Sequence, residues 1–236
     1  MTRRVYVPAV GLSSWQALLT QPDRHWKRGA SAFETAVFWE QGARTPRGLH
    51  PKLATILDQH PAWHGSSVLE AFPEHGVQLP GGSRASQNDV WALLNGATGL
   101  LSLAVEGKAG EPFANTVGEW LNRPTDGRRK RLEYLRETLG LQTPVDDELR
   151  YQLLHRAASA ILEAGRVGAK SAGMVVLSFR DDPRSKQDFA RFAEAQGAEF
   201  LDNALCWSTT VRFCPFFLAW LDLPTATDHE IASVTA

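Results

Sequence analysis

The chain lacks most of the features that would name a chemistry outright. It has only two cysteines, Cys206 and Cys214, and no CxxC pair, which argues against a zinc knuckle or a redox dithiol. No HExxH, GxSxG or EF-hand spacing occurs, so a zinc peptidase, a serine hydrolase and a calcium sensor are unsupported. Gly107-Lys108 is not part of a phosphate-binding P-loop. That motif needs glycine where Ser102 stands and Ser or Thr where Ala109 stands. An excess of one charge is missing too: 25 basic and 26 acidic side chains nearly cancel. Coating nucleic acid through bulk charge is therefore unsupported, while a local basic groove stays open. The most apolar late stretch, Phe213 to Leu221, is well short of the roughly 20 residues of a membrane helix. Met1-Thr2-Arg3-Arg4 leads into a short apolar stretch interrupted by Pro8, a poor signal peptide. These absences point to a cytoplasmic protein with reduced thiols.

What is present fits a globular protein. The 236 residues are 43% hydrophobic and 22% charged, without repeats or low-complexity tracts, and a single domain over 1–236 is expected. The first part, to about residue 65, reads as helical. Ser13-Ser14 can cap one helix and Ser31 a second that runs to about Gln41, with a third over Lys52 to Gln59. On the second, Phe33, Ala36, Val37 and Glu40 share a stripe, which is unusual for an acid. Short strands or extended loop are expected at Ser67 to Phe72 and Gly76 to Leu79, bounded by Pro73, Pro80 and Gly81-Gly82. The two best strands are Gln87 to Leu94 and Leu100 to Lys108, joined through Asn95-Gly96-Ala97-Thr98-Gly99 as a hairpin. Helices return around Val117 to Leu121, from Asp126 as cap to a stop at Gly140, and from Asp146-Asp147-Glu148 to about Ala164. Gly173 to Phe179 is a continuous apolar run, as for a strand covered on both faces. A helix over Asp188 to Gln196 follows, then a last strand over Val211 to Leu221, where Pro215 implies a bulge or an edge. The order predicts an α/β fold: a mixed central β-sheet flanked by helices, with an N-terminal helical elaboration.

Chemistry concentrates in the hairpin. Strand side chains alternate between faces, so Glu106 and Lys108 share one face with Ser102 and Ala104, and Leu101, Leu103 and Val105 take the other. Asp89 opens the neighbouring strand. Two carboxylates and an ammonium can hold a divalent metal against a phosphodiester and activate water beside it. Mg2+ or Mn2+ would be ligated by Asp89 and Glu106, with the Gly107 carbonyl as a further oxygen. The plainer alternative is that Glu106 and Lys108 form an exposed salt bridge, which contributes only about 0–1 kcal/mol.

With this element order, Asp89 and Glu106-Gly107-Lys108 make the chain resemble the PD-(D/E)XK nuclease-like superfamily over roughly residues 30–180. The resemblance implies a restriction-endonuclease-like core of helix, three-stranded meander, helix and strand. It departs from the motif at Asn88, where the family name has proline. It also implies a further acid on the first core helix, Glu40 or alternatively Glu34, and a polar residue on the helix after the meander, Gln152 or Arg156. The implied activity is Mg2+-dependent or Mn2+-dependent hydrolysis of DNA, with RNA second. Three alternatives stay open: an inactive nuclease-fold module that binds nucleic acid or a protein partner, a homodimer, and a defence-system nuclease switched on by a partner. Arg128-Arg129-Lys130-Arg131 is either a phosphate-backbone contact or a solvated helix start. His155 reads as a packed or surface histidine, and Glu74-His75 as near the site or a turn. The eight tryptophans read as core.

Overall fold

A computed structural model of the chain describes residues 11–201, 206–211 and 214–235. Four helices lead: α1 (Gly11–Leu18), α2 (Pro22–His25), α3 (Ser31–Ala43) and α4 (Pro51–Leu57). A meander follows, formed by β1 (Ser67–Val77), β2 (Ser86–Gly96) and β3 (Gly99–Lys108). Then come α5 (Val117–Leu121), α6 (Asp126–Leu139), α7 (Tyr151–Val167), β4 (Ser171–Ser178) and α8 (Pro183–Ala195). The chain closes with β5 (Glu199–Phe200), β6 (Cys206–Val211), β7 (Cys214–Asp222) and α9 (Asp228–Thr235). The described strands form one mixed sheet in the order β1-β2-β3-β4-β7-β6-β5. The meander is antiparallel, β3 and β7 run parallel to β4, and β6 runs antiparallel to β7. This is the expected α/β arrangement of a mixed sheet flanked by helices.

The alternation of β3 sorts the core into two layers. Leu101, Leu103 and Val105 pack with Trp39, Leu53 and Leu57 of the N-terminal helices. On the other face Ala104 packs with Leu153, Leu154 and Ala157 of α7. Strand β4 lies between parallel neighbours and under helices on both faces, so every one of its residues is buried. Of the eight tryptophans expected in the core, Trp15, Trp39, Trp63, Trp91 and Trp220 are buried there, whereas Trp26 and Trp120 are half-buried. Among the described residues no helix is long and apolar enough to cross a membrane.

Several boundaries differ from expectation for local reasons. The two short strands around Pro73 are one strand, β1, because it lies at the sheet edge, where a missing amide donor is tolerated. Asp146 to Glu148 do not begin a helix. They form a turn ahead of an extended crossing in which the Val117 amide donates to the Leu149 carbonyl, and α7 begins only at Tyr151. Asp182 caps α8, which starts five residues before the expected Asp188, and Thr125 rather than Asp126 caps α6. The single last strand is two, β6 and β7. Pro215 lies near the start of β7, and β7 is interior rather than at an edge. Ser13-Ser14 lie inside α1, and Ser31 is the first residue of α3, whose N-terminus no side chain caps.

Helix α3 approaches β3 closely at Gly107. A Cβ there would stand 2.1 Å from Thr35 Oγ1, itself buried without a hydrogen-bond partner. Gly107→Ala is therefore expected to lower unfolding free energy by about 1–3 kcal/mol through overpacking. In denaturant melts, Gly107→Ala combined with Thr35→Ala should recover part of that loss; strict additivity would show that the two positions do not press on each other.

Candidate active site

The site lies where β2 begins and β3 ends. The pairing that sets Pro73 opposite Val90 and His75 opposite Asn88 puts Glu74 opposite Asp89. Continuing the β2–β3 pairing beyond Val90 and Val105 puts Asp89 opposite Glu106. Three acids thus stand in one row across three strands. Glu74 also has φ 52, a left-handed backbone uncommon for a side chain of its size. The kink lets Phe72 and His75 both stack on Trp91, against ordinary strand alternation.

Glu106 is 3% exposed, and both of its oxygens are engaged. Oε2 accepts from Arg156 Nε at 2.6 Å, and Oε1 accepts from Gln152 Nε2 at 2.5 Å with Lys108 Nζ at 3.1 Å. Burial opposes its ionisation, yet Arg156 and then Lys108 hold its pKa below the ordinary value. Lys108 is 4% exposed, donates to Gln152 Oε1 at 3.2 Å and lies 4.8 Å over the Phe113 ring. The pair is therefore a buried cluster on the α7 side rather than an exposed surface bridge. Gln152 and Arg156 meet Glu106 because they sit one turn apart on α7, as the helical spacing allows.

Asp89 is half-buried. Its Oδ2 accepts from the Gly107 amide at 2.7 Å, and among the described residues Oδ1 accepts from none. Burial first, and the Glu106 charge second, push its carboxyl up to about 8 against the pull of Arg156. Asp89, Arg156, Glu74 and Gln87 line a cleft of about 450 Å3, whose other wall includes Arg24 and His25 of α2 and Ser31 of α3. Glu106 and Lys108 are not part of that lining; Arg156 is, and it donates to Glu106.

The first-helix acids do not join this centre. Glu40 lies about two and a half turns beyond Ser31, on the opposite side of α3 from the cleft. It accepts from Trp15 Nε1 at 2.8 Å. The other stripe residues face different neighbours: Phe33 packs edge-on against Trp26, just past α2, and Val37 lines a pocket with Phe179, Leu223 and Glu230. Glu34 is buried and accepts the amides of Gly29 and Ala226, tying the loop before α3 to the segment before α9. Gly107 offers Asp89 its amide, and its Cα is turned against α3. Among the described residues no group of three or more His, Cys, Asp or Glu side chains is placed to hold a metal ion.

Other candidates take structural roles. His155 Nδ1 shares a hydrogen bond with Ser86 Oγ at 2.8 Å, and burial depresses its pKa to about 3. Arg131 is buried and donates to the carbonyls of Leu79, Pro80 and Gly82, and Arg128 donates to those of Trp120 and Arg123. Gln87 was legible in retrospect: it stands two residues before Asp89 on the same strand, and its Nε2 donates to Glu74 Oε2 at 2.5 Å. Arg24 and His25 carry no sequence signal, because a four-residue helix reaches the cleft only through tertiary packing.

The chain belongs to a family described as a domain of unknown function, DUF6946, which matches residues 8–225. No curated protein and no solved structure matches it.

Two substitutions separate the acids. Glu106→Gln leaves two buried cations without their counter-charge and should cost about 3–5 kcal/mol in unfolding free energy. Asp89 behaves oppositely. With its folded pKa above the ordinary 3.8, its contribution to stability is fully present below pH 3.8 and is lost as pH rises to about 8. Asp89→Asn should therefore match or exceed the parent's melting temperature at pH 8, and a clear loss there would contradict a protonated Asp89.

Proposed function

We propose that this chain is a metal-dependent nuclease hydrolysing the phosphodiester bonds of DNA, with RNA second, on a restriction-endonuclease-like core. The observation that carries the reading is the convergence of Asp89, Glu106, Lys108 and Gln152 at the joined ends of β2 and β3, with Asp89 in a cleft. The order of α3, the β1–β2–β3 meander, α7 and the parallel β4 supports it, because that is the element order the resemblance implies.

In kind, the donor set suits a hard divalent ion, since both acids offer oxygen. Entry of the ion requires exchange, because Glu106 is already paired with Arg156 and Lys108. A bound Mg2+ or Mn2+ would polarise the scissile phosphate and acidify a water. Lys108 contributes positive charge beside Glu106 as the phosphate oxygens gain negative charge. Gln152 fixes both, donating to Glu106 and accepting from Lys108. Hydrolysis consumes one water: its oxygen bonds to phosphorus, the bond to the departing strand breaks, and the departing oxygen leaves with a proton.

One observation favours a second reading, a nuclease-fold module without catalysis. Arg156 Nε lies 2.6 Å from Glu106 Oε2, where a guanidinium supplies the positive charge that a metal would. Such a module would bind nucleic acid or a protein partner and ignore chelators.

Mn2+ binding separates the readings better than cleavage, since a nuclease awaiting a partner would be silent in isolation. Calorimetry should show a site in the parent that is lost in Asp89→Asn. Because Asp89 must release its proton, Mn2+ affinity should rise about tenfold per pH unit up to about pH 8. Lys108→Met should retain Mn2+ binding and lose cleavage. A folded parent that takes up no Mn2+ at pH 8.5 would leave only the module.

A further inference from the structure

The cleft holds a cation that the metal chemistry leaves unused. Arg156 is 9% exposed, and its Nε is spent on Glu106. Its two Nη groups donate to no described residue, and the side chain lines the cleft. A guanidinium with one edge paired and the other open presents two parallel donors, a geometry that suits phosphate oxygens. Arg24 and His25 of α2, both exposed, line the same cleft, as do Gln21 and Thr20 just before that helix. Ser31, the first residue of the 13-residue α3, forms part of the wall, and no side chain caps that helix, so its positive end adds to the field.

We infer that this cleft binds the phosphate group of a nucleotide, with Arg156 and Arg24 as its cationic arms. Arg156 and Arg24 bring two cationic side chains to the lining, and Lys108 shares the Glu106 carboxylate with Arg156, so one carboxylate serves two cations. Glu74 and Asp89 are the acids of the lining; Gln87 donates to one oxygen of Glu74 and the Gly107 amide to one oxygen of Asp89. A volume of about 450 Å3 is within the range of about 300–1,000 Å3 common for small-molecule sites and exceeds what a bare phosphate needs. The same phosphate chemistry could come from a strand terminus or from a free mononucleotide. A strand terminus rests on the nucleic-acid reading above; a mononucleotide does not.

The test runs in excess chelator, so its outcome is independent of the metal. A short fluorescent DNA strand is compared with and without a terminal phosphate by anisotropy, with inorganic phosphate and a nucleoside monophosphate as competitors. The phosphorylated strand, or the monophosphate, should bind at least about tenfold tighter than the unphosphorylated strand, the worth of one charge-assisted contact pair. Inorganic phosphate should displace it. Arg24→Ala, a surface change, should remove most of that preference, and Arg156→Lys, which keeps a charge on Glu106 but loses the fork, should abolish it. A monophosphate that competes as well as the strand assigns a free nucleotide; a strand that binds more tightly assigns a terminus. Equal binding of both strand forms, with neither competitor acting, overturns the phosphate site even if Mn2+ binds. Loss of Mn2+ binding alone would leave it standing.

Discussion

A carboxylate with 3% exposure stays ionised only if cations are brought to it, and Glu106 draws two from separate elements, Arg156 on α7 and Lys108 on its own strand. Much of the local architecture follows from that demand. Helix α7 must cross β3 with Gln152 and Arg156 facing the strand end, which fixes its register on the sheet. Lys108 must fold back over Phe113 instead of reaching into water. Asp89, half-buried and standing opposite an ionised neighbour, has its carboxyl pKa pushed up to about 8. The salt bridge contributes little net stability by itself, but losing either partner is costly, so it acts mainly as a constraint on geometry.

The opposite side of the same strand end is closed by packing. Gly107 has no side chain, and α3 lies against it at Thr35. With α7 on one face and α3 on the other, Glu74 and Asp89 of the row open into the cleft bounded by α2. The kink at Glu74 helps to shape that opening, because it sends Phe72 and His75 together onto Trp91 while Glu74 remains in the cleft wall.

Periodic features were legible in the sequence. The alternation of Leu101 to Lys108, the turn between β2 and β3, and the continuous apolar run of β4 placed the sheet, and the pairing of Asp89 with the Glu106 strand followed from the hairpin. Gln152 and Arg156 came from the resemblance, which implies a polar residue on the helix after the meander. Failures came where a local rule met a tertiary contact. The stripe made Glu40 the first choice for a site acid, whereas Glu40 accepts from Trp15 of α1, and nothing in a stripe says which neighbour covers it. Burial of Lys108 was invisible, because a lysine at a strand end reads as exposed until a helix covers it. Arg24 and His25 come from a helix too short for periodicity to detect.

The two readings of the site are two ways of balancing the same charges. With Arg156 in place, the ionised groups Glu106, Lys108 and Arg156 sum to one positive charge while Asp89 keeps its proton. Adding a divalent ion and removing the Asp89 proton would raise that to two, in a region where burial already penalises charge. Neither Asp89 nor Glu106 can offset the increase, since both are then fully ionised, and Glu74, whose pKa burial raises, supplies at most one charge. A ligand is the further source of negative charge, and Arg156, released from Glu106 by the incoming ion, would have its whole guanidinium free for it. In the proposed nuclease, metal and phosphate would be coupled by electrostatics, each lowering the cost of admitting the other. A phosphate would then tighten a metal site that the two acids offer without it, and on the proposed reading the resident ion pair and a catalytic role could belong to one molecule.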